Sequence, residues 1–278
     1  MTGFLPSFRG ELRDLARSPL TWIAAAATAT AAWTLGTHAP IKDNGYVVYQ
    51  SALQAAALTA SFFLLGIAAT TVAGERTRGT VRWLLPRPVT RAGFVAGKAA
   101  ALALLAVTLL VVAVGVAWSV SKQHGFGDVK AEAVESDGMG FEYLEEEVVP
   151  PVFQASTMRR RALYATLLVL PSLLTATGLG LLVSSLLASA AGAVITALAL
   201  AIPLTFLPEV LGLSEKAALM LPFSAADAFL HQVGEFGRRL ATAEWPDYGA
   251  GPLAGAILGA IGLPVLGALV FSRLDLTD

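Results

Sequence analysis

The chain has 278 residues, of which 55% are hydrophobic and 14% are charged, and its mean hydropathy is +0.67. In soluble globular proteins about a quarter of all residues are charged. This composition therefore excludes that class and indicates an integral membrane protein. The net charge of −1 argues against a nucleic-acid partner. Since the chain has no cysteine, disulfides, thiolate metal sites and cysteine nucleophiles are excluded as well.

The first predicted element is an N-terminal interfacial helix over residues 3–17. Its apolar residues recur at spacings of four, four and three, while its charged residues fall elsewhere, which gives the helix an apolar and a charged face. The apolar face consists of Phe4, Phe8, Leu12 and Leu15. Ser18-Pro19 then breaks the chain. Because charged residues delay the first apolar run until Leu20, we expect a retained helix and not a cleavable signal peptide.

Charge-free runs predict the membrane spans, because a bilayer core of about 30 Å requires about 20 apolar residues of helix. The run from 162 to 208 has 47 residues, too many for one helix, and predicts two spans joined by a tight turn within 184–192. The predicted transmembrane helices cover 20–36, 51–74, 99–121, 162–184, 190–208 and 250–272. The fold class is therefore an all-α integral membrane protein with six transmembrane helices, in a single domain over 1–278.

Residues 210–247 do not fit a seventh span. Their apolar run from Ala217 to Ala226 is too short and contains Pro222. We predict an extracellular or re-entrant segment there.

The distribution of charge predicts the topology. With a cytoplasmic N-terminus and six spans, the inside segments hold ten basic and five acidic residues, and the outside segments hold nine basic and fifteen acidic ones. Both termini are then cytoplasmic. The arginines Arg159–Arg161 run against this rule, since they adjoin the fourth span on the predicted outer side. The acidic loop over 128–147 precedes them, and its role stays open.

The segment 75–98, between the second and third spans, combines a short apolar ridge, a rigid turn and a capped helix. Pro86 and Pro88 end the first helix, and Thr90 is placed to cap the next one, which carries Arg91 and Lys98 into the membrane. This geometry suits a knob that enters a cleft on a cytoplasmic partner. Its arginines suit acidic partner residues or lipid phosphates. An ordinary positive-inside loop explains the charges equally well.

The sequence of this segment resembles the signature of ABC type-2 exporter permeases. In that signature a Glu is followed by Gly-Thr, a Leu pair, a Pro-Val-Ser/Thr-Arg turn and a Gly-Lys. The matching positions are Glu75, Gly79, Thr80, Leu84, Leu85, Pro88, Val89, Thr90, Arg91, Gly97 and Lys98. Trp83 and Pro86 depart from it. The C-terminal stretch from Phe271 to Leu276 is similar to a Phe-x-Arg-Arg-Asp-Leu ending of that family, with Leu274 in place of the second Arg.

The resemblance implies a permease that works as a homodimer or heterodimer, each copy contacting one ABC ATPase subunit, so that two ATPase copies bind ATP and Mg. It implies that the segment 75–98 is the coupling helix, and that the elements between the fifth and sixth spans form an extracellular gate. With the neighbouring arginines included, the residues expected to couple to the ATPase are Glu75, Arg78, Gly79, Thr80, Arg82, Leu84, Leu85, Pro88, Val89, Thr90, Arg91 and Lys98.

The chain itself is not expected to hydrolyse ATP. Its nearest approach to a phosphate-binding loop, Gly93–Ala99, has three residues between the glycines where four are needed, and Ala99 follows the lysine in place of Ser or Thr. We therefore predict a non-catalytic chain with no cofactor of its own. No metal site is predicted either, because the three histidines fall in different loops. The predicted spans contain no Asp, Glu, Lys or Arg, which argues against an ion-gradient mechanism.

Two other classes of function compete with an exporter permease. A membrane-embedded enzyme is disfavoured, because the spans contain neither a His-Glu-x-x-His motif nor paired aspartates. A non-transporting membrane scaffold or assembly factor would share the composition and stays open. The Ala-, Arg- and Gly-rich composition is typical of a GC-rich bacterial genome, which predicts the bacterial plasma membrane as the location. No motif identifies a substrate.

Overall fold

The computed structural model describes residues 3–39, 44–79, 90–127, 129–130, 151–210 and 251–273. Helices form nearly all of this part of the chain. They are α1 (Phe4–Arg17), α2 (Pro19–Thr37), α3 (Gly45–Thr77), α4 (Arg91–Ser121), α5 (Ala155–Leu186), α6 (Ala190–Val210) and α7 (Gly251–Arg273). A short antiparallel pair joins β1 (Val129–Lys130) to β2 (Pro151–Phe153). The core of the segment 75–98 and most of 210–247 lie outside the described residues.

The amphipathic helix α1 is separated from α2 by a single extended residue. Ser18 has φ −71° and ψ 124°, and Pro19 occupies the first turn of α2, so the chain breaks at the predicted dipeptide. The indole nitrogen of Trp22 donates to the Ala16 carbonyl at 3.1 Å across this break. Leu15 is buried while Arg13 is exposed. These two residues follow the predicted faces of α1, although Phe4 of the predicted apolar face is exposed and Glu11 of the opposite face is largely buried.

Helices α3, α4 and α5 extend beyond the charge-free runs from which spans were predicted. They contain 33, 31 and 32 residues, which corresponds to lengths of about 46 to 50 Å. Charged residues do not end a helix by themselves, so these helices continue past the bilayer thickness of about 30 Å. Caps set the starts instead: the side chain of Asn44 accepts from the Tyr46 amide, and that of Thr90 accepts from the Gly93 amide.

Helix α3 lies at the centre and packs against α2, α4, α5 and α6. Its closest neighbour is α5, which crosses it at Gly180. A β-carbon at position 180 would lie 2.5 Å from the carbonyl oxygen of Leu65, so only glycine permits this approach of the two backbones. One turn further, the Ser184 hydroxyl accepts from the amides of Val72 and Ala73, both at 2.9 Å. Small residues and one buried hydroxyl therefore hold this crossing together.

The turn between α5 and α6 lies at 187–189, within the predicted range 184–192. It docks on the end of α3. The Thr77 hydroxyl donates to the Ala188 carbonyl at 2.8 Å and accepts from the Ala190 amide at 3.3 Å, and the Arg76 guanidinium donates to the Ser185 carbonyl at 3.3 Å. These hydrogen bonds fix the end of α3, where the segment 75–98 begins.

The outer faces of the helices are apolar and exposed. Among the described residues, α3, α4 and α5 are long and apolar enough to cross a membrane, and α6 and α7 contain the shorter apolar helices Ala190–Leu204 and Ile257–Arg273. Side chains such as Trp22, Ile195 and Leu258 are each at least 67% exposed. Such continuous apolar surface is stable in lipid and unfavourable in water. The chain is a multi-pass membrane protein.

Candidate functional site

A buried cluster of charge lies where α1, the end of α3 and the start of α4 meet. Lys98 of α4 is only 2% exposed. Its ammonium contacts the carboxylate of Glu11 on α1 and lies 2.6 Å from the carboxylate of Glu75 on α3. We call these three residues the charge cluster. They connect three helices, and two of them are the first and last residues of the segment 75–98, whose residues 80–89 lie outside the described part of the chain.

The lysine stem and ammonium are also shielded by an aromatic ring. The ammonium lies 5.0 Å from the centroid of the Phe94 ring, one helical turn earlier on α4. Phe94 in turn stacks on Phe271 of α7 with ring centroids 5.9 Å apart. A cation over an aromatic face is stabilised by about 0.5 to 2 kcal/mol. Lys98 is therefore held by two carboxylates and a ring, which offset the cost of burying its charge.

Helix α1 lies directly on α4 beside the charge cluster. A β-carbon at Gly97 would lie 2.6 Å from the Phe4 carbonyl oxygen and 2.9 Å from the Phe8 amide nitrogen, so the backbones touch only because residue 97 is glycine. The Ser7 hydroxyl donates to the Phe94 carbonyl at 2.8 Å. Gly97 and Lys98, which resemble the end of a phosphate-binding loop in sequence, instead attach α1 to α4.

Its surroundings in the charge cluster make the Glu11 carboxyl a weaker acid. Burial raises the pKa of the Glu11 carboxyl above its ordinary value of 4.5, the Lys98 ammonium opposes that rise, and the Glu75 carboxylate adds to it. Glu11 therefore keeps its proton to a higher pH in the folded protein than a solvated glutamate does.

A cavity of about 610 Å³ adjoins the cluster between α1, the end of α3 and the start of α6. Acidic and basic side chains both line it, among them Asp14, Arg17 and Arg78 in addition to the cluster.

The structure describes half of the residues assigned to coupling. Glu75 and Lys98 come together in the cluster, and Thr90 caps α4 as predicted. Arg91 donates to the Ser272 carbonyl at 3.4 Å, which ties the start of α4 to the end of α7. Arg78 and Gly79 end α3, with Gly79 at φ +68°. The others lie outside the described residues: Thr80, Arg82, Leu84, Leu85, Pro88 and Val89.

Sequence reasoning did not identify Glu11. Its position on the polar face of α1 made it one solvated charge among several. The available signal was a carboxylate one helical turn after Ser7, on a helix whose other face is apolar, combined with a lysine placed inside an apolar helix. Neither signal names a partner, because Glu11 and Lys98 are 87 residues apart.

The chain was compared with known proteins. One family model, described as ABC-2 family transporter protein, matches residues 5–276, which is nearly the whole chain. No curated protein matches it. The matched range includes all three helices of the charge cluster and the segment 75–98.

Proposed function

Because the chain belongs to the ABC-2 family of transporter proteins, we propose that it is the membrane-spanning permease subunit of an ATP-driven exporter, coupled to a separate ATPase. The family places the chain among the membrane components of ABC transporters. The direction of transport, the coupling to an ATPase and the formation of the translocation path are what we propose beyond family membership.

The proposed membrane arrangement has six spans, α2 to α7, with α1 in the cytoplasmic interface. Helices α2, α6 and α7 have 19, 21 and 23 residues, which gives lengths of about 28 to 35 Å and matches a bilayer core of about 30 Å. The excess of basic residues on one side supports cytoplasmic N- and C-termini. The proposed location is the bacterial plasma membrane.

The proposed partners are two copies of an ABC ATPase subunit and a second permease, identical or homologous to this chain. ATP and Mg bind to the ATPase copies, and this chain acts without catalysis and without nucleic acid. The segment 75–98 contacts the ATPase, with Leu84 and Leu85 on the apolar ridge that enters it.

The charge cluster is the observation that carries the proposal. Glu75 begins the contacting segment and Lys98 ends it, and the Lys98 ammonium contacts both Glu75 and Glu11 of α1. A displacement of the segment by the ATPase therefore moves α1, α3 and α4 together, because separating Lys98 from these carboxylates would leave a buried charge unpaired. Lys98 and Glu75 are positioning residues in this proposal, since their charged groups face α1 and not the partner.

Co-purification tests the coupling assignment. The double variant Leu84→Asp, Leu85→Asp should lose the ATPase, because a pair of carboxylates cannot enter an apolar cleft. The matched control Leu84→Met, Leu85→Met keeps the apolar ridge and should retain an ATPase at a roughly equimolar ratio. Both variants should unfold at the temperature of the wild type, which shows that only the contact has changed.

Two results would contradict this. An ATPase retained by the aspartate variant would show that the segment 75–98 is not the contact. Absence of any ATPase from the wild-type preparation would favour the membrane scaffold as the function of the chain.

A further inference from the structure

A second cavity, of about 220 Å³, lies at the opposite end of the helices, between α3, α4 and α5. Tyr46 and Tyr49 line it, and on α3 Tyr46 lies 29 residues before Glu75, a distance of about 43 Å along a helix. Under the proposed topology this end faces the outside. We call it the aromatic cavity.

Four aromatic rings form part of the wall of the aromatic cavity, beside aliphatic side chains such as Val114 and Leu163. Trp118 stacks on Phe126 with centroids 4.7 Å apart, and Tyr46 meets Phe126 edge-on at 5.1 Å. The tyrosine hydroxyls are engaged elsewhere: that of Tyr46 donates to the Ala155 carbonyl at 3.3 Å, and that of Tyr49 lies 2.8 Å from the Thr166 hydroxyl. With these hydroxyls hydrogen-bonded within the protein, the space that remains is apolar.

One charged residue also lines the cavity. Arg159, in the first turns of α5, belongs to its wall and is exposed, and Arg160 and Arg161 follow it. These are the three arginines that run against the positive-inside rule. Basic residues are normally scarce on the outer side of a membrane protein. Binding of an anion would explain why three arginines occur together there.

We propose that the aromatic cavity binds the ring or chain of an anionic amphiphile, whose phosphate or carboxylate pairs with Arg159. A cavity of roughly 150 Å³ holds a benzene molecule, so a volume of about 220 Å³ accommodates a ring system or a short length of chain. The rest of the molecule extends toward the lipid or the solvent. The inference goes beyond the proposed function and requires no ATPase.

Other ligand classes fit the cavity less well. Aromatic walls attract organic cations, but the guanidinium of Arg159 repels them. A small inorganic anion gains a charge pair at Arg159 but nothing from the rings, and it loses its hydration. A neutral hydrocarbon fills the cavity without using the arginine. An anionic amphiphile satisfies both parts at once.

Binding of dodecyl phosphate to the protein in phosphatidylcholine nanodiscs tests the proposal. Trp118 reports binding by its fluorescence once the other four tryptophans are replaced: Trp22→Phe, Trp33→Phe, Trp83→Phe and Trp245→Phe. Native mass spectrometry of the protein with all its tryptophans provides a second readout that does not depend on those replacements. Dodecyl phosphate should bind saturably, and inorganic phosphate and dodecyltrimethylammonium should bind at least tenfold more weakly.

Matched variants locate the site. Arg159→Gln should weaken binding of dodecyl phosphate about fivefold, since one partly exposed charge-assisted hydrogen bond is lost. Its neighbour Arg160→Gln, which does not line the cavity, should change binding less than twofold. Val114→Phe, which adds a ring at the cavity wall, should weaken binding without altering charge. Equal effects of the two arginine variants, or equal binding of the cationic amphiphile, would overturn the proposal.

The ligand could be a lipid of the bilayer or a single-chain amphiphile. Replacing a fifth of the phosphatidylcholine in the nanodiscs with phosphatidylglycerol distinguishes these two sources. Weaker apparent binding of dodecyl phosphate would show that an anionic bilayer lipid occupies the same site. Unchanged binding would show that the site selects a single-chain amphiphile, as expected of a transported molecule. Since none of these measurements involves the ATPase, the site can fail while coupling stands, and coupling can fail while the site stands.

Discussion

At the scale of single residues, Lys98 is the most constrained charge among the described residues. Moving an ammonium out of water costs several kcal/mol, and the contacts that offset this cost come from two other helices. With the residue only 2% exposed, water cannot replace a carboxylate that is removed. The charge cluster is therefore stable only when α1, α3 and α4 are all in place.

The first prediction concerns loss of this charge. Lys98→Met should lower the free energy of unfolding in detergent by about 3 kcal/mol, because it leaves Glu11 and Glu75 as neighbouring carboxylates without their cation. Arg78→Met is the matched control, and it should change the free energy by less than about 0.5 kcal/mol because Arg78 is exposed. Similar losses for both variants would mean that the cluster adds no stability.

The second prediction concerns pH. Native Glu11 holds its proton to a higher pH than the unfolded chain does, because burial raises its pKa above 4.5. Its contribution to stability is therefore fully present below pH 4.5 and is lost as pH rises through the native pKa. Measured against Glu11→Gln, which cannot titrate, the relative stability of the wild type should fall as pH rises from 4.5 toward neutrality.

A relative stability that increases over the same range would contradict this sign. It would mean that the attraction of Lys98 outweighs burial and lowers the pKa of Glu11 below its ordinary value. Glu75→Gln provides a second comparison, because removing this carboxylate should reduce the rise in the pKa of Glu11.

At the scale of elements, the attachment of α1 to α4 determines whether a displacement of the segment 75–98 is passed on to α1. The contact is made by backbone, with the Ser7–Phe94 hydrogen bond beside it, so there is no flexible side chain to absorb a change. Helix α1 and the start of α4 should therefore behave as one rigid unit in transport.

The third prediction tests this contact. Gly97→Ala should lower the free energy of unfolding by about 1 to 3 kcal/mol, because its methyl group meets the backbone of α1. Gly115→Ala on the same helix has open space and should leave stability unchanged or raise it by up to about 1 kcal/mol. If α1 and α4 are coupled in the proposed way, Gly97→Ala should also uncouple transport from ATP hydrolysis while the ATPase stays bound.

At the scale of the whole molecule, the charge cluster and the aromatic cavity lie at opposite ends of α3. One end carries the segment 75–98, which is proposed to contact the ATPase, and the other end carries the proposed ligand site. The two are separated by more than the thickness of the bilayer core. This arrangement is consistent with an exporter only if the two ends face opposite sides of the membrane.

The fourth prediction tests that topology. Because the chain has no cysteine, single cysteines can be introduced without removing any native ones. In intact cells, a membrane-impermeant thiol reagent should label Gln123→Cys and should not label Arg78→Cys, and both should react after permeabilisation. Both positions are exposed in the protein, so burial does not account for a difference. Labelling of Arg78→Cys from outside would invert the proposed orientation.

Much of the fold could be predicted because its determinants are local. The break at Ser18-Pro19, the cap at Thr90 and the turn at 187–189 each depend on a few adjacent residues, and all three occur where the sequence places them. Helices α3, α4 and α5 are longer than the spans predicted within them, since charge-free runs mark the bilayer and not the end of hydrogen bonding. Helix α3 begins at Gly45, six residues before the predicted span.

By itself, the sequence determined that this is a helical membrane protein, and it predicted an amphipathic N-terminal helix and a basic segment that resembles the signature of ABC-2 permeases. Hydropathy, capping and motif spacing act over short distances along the chain. Only the tertiary structure decided that Glu11 joins Lys98, that Gly97 is a contact with α1, and that Arg159 lies in the wall of an aromatic cavity. These depend on which helices pack together, and burial then turns a solvated charge into one that requires a partner.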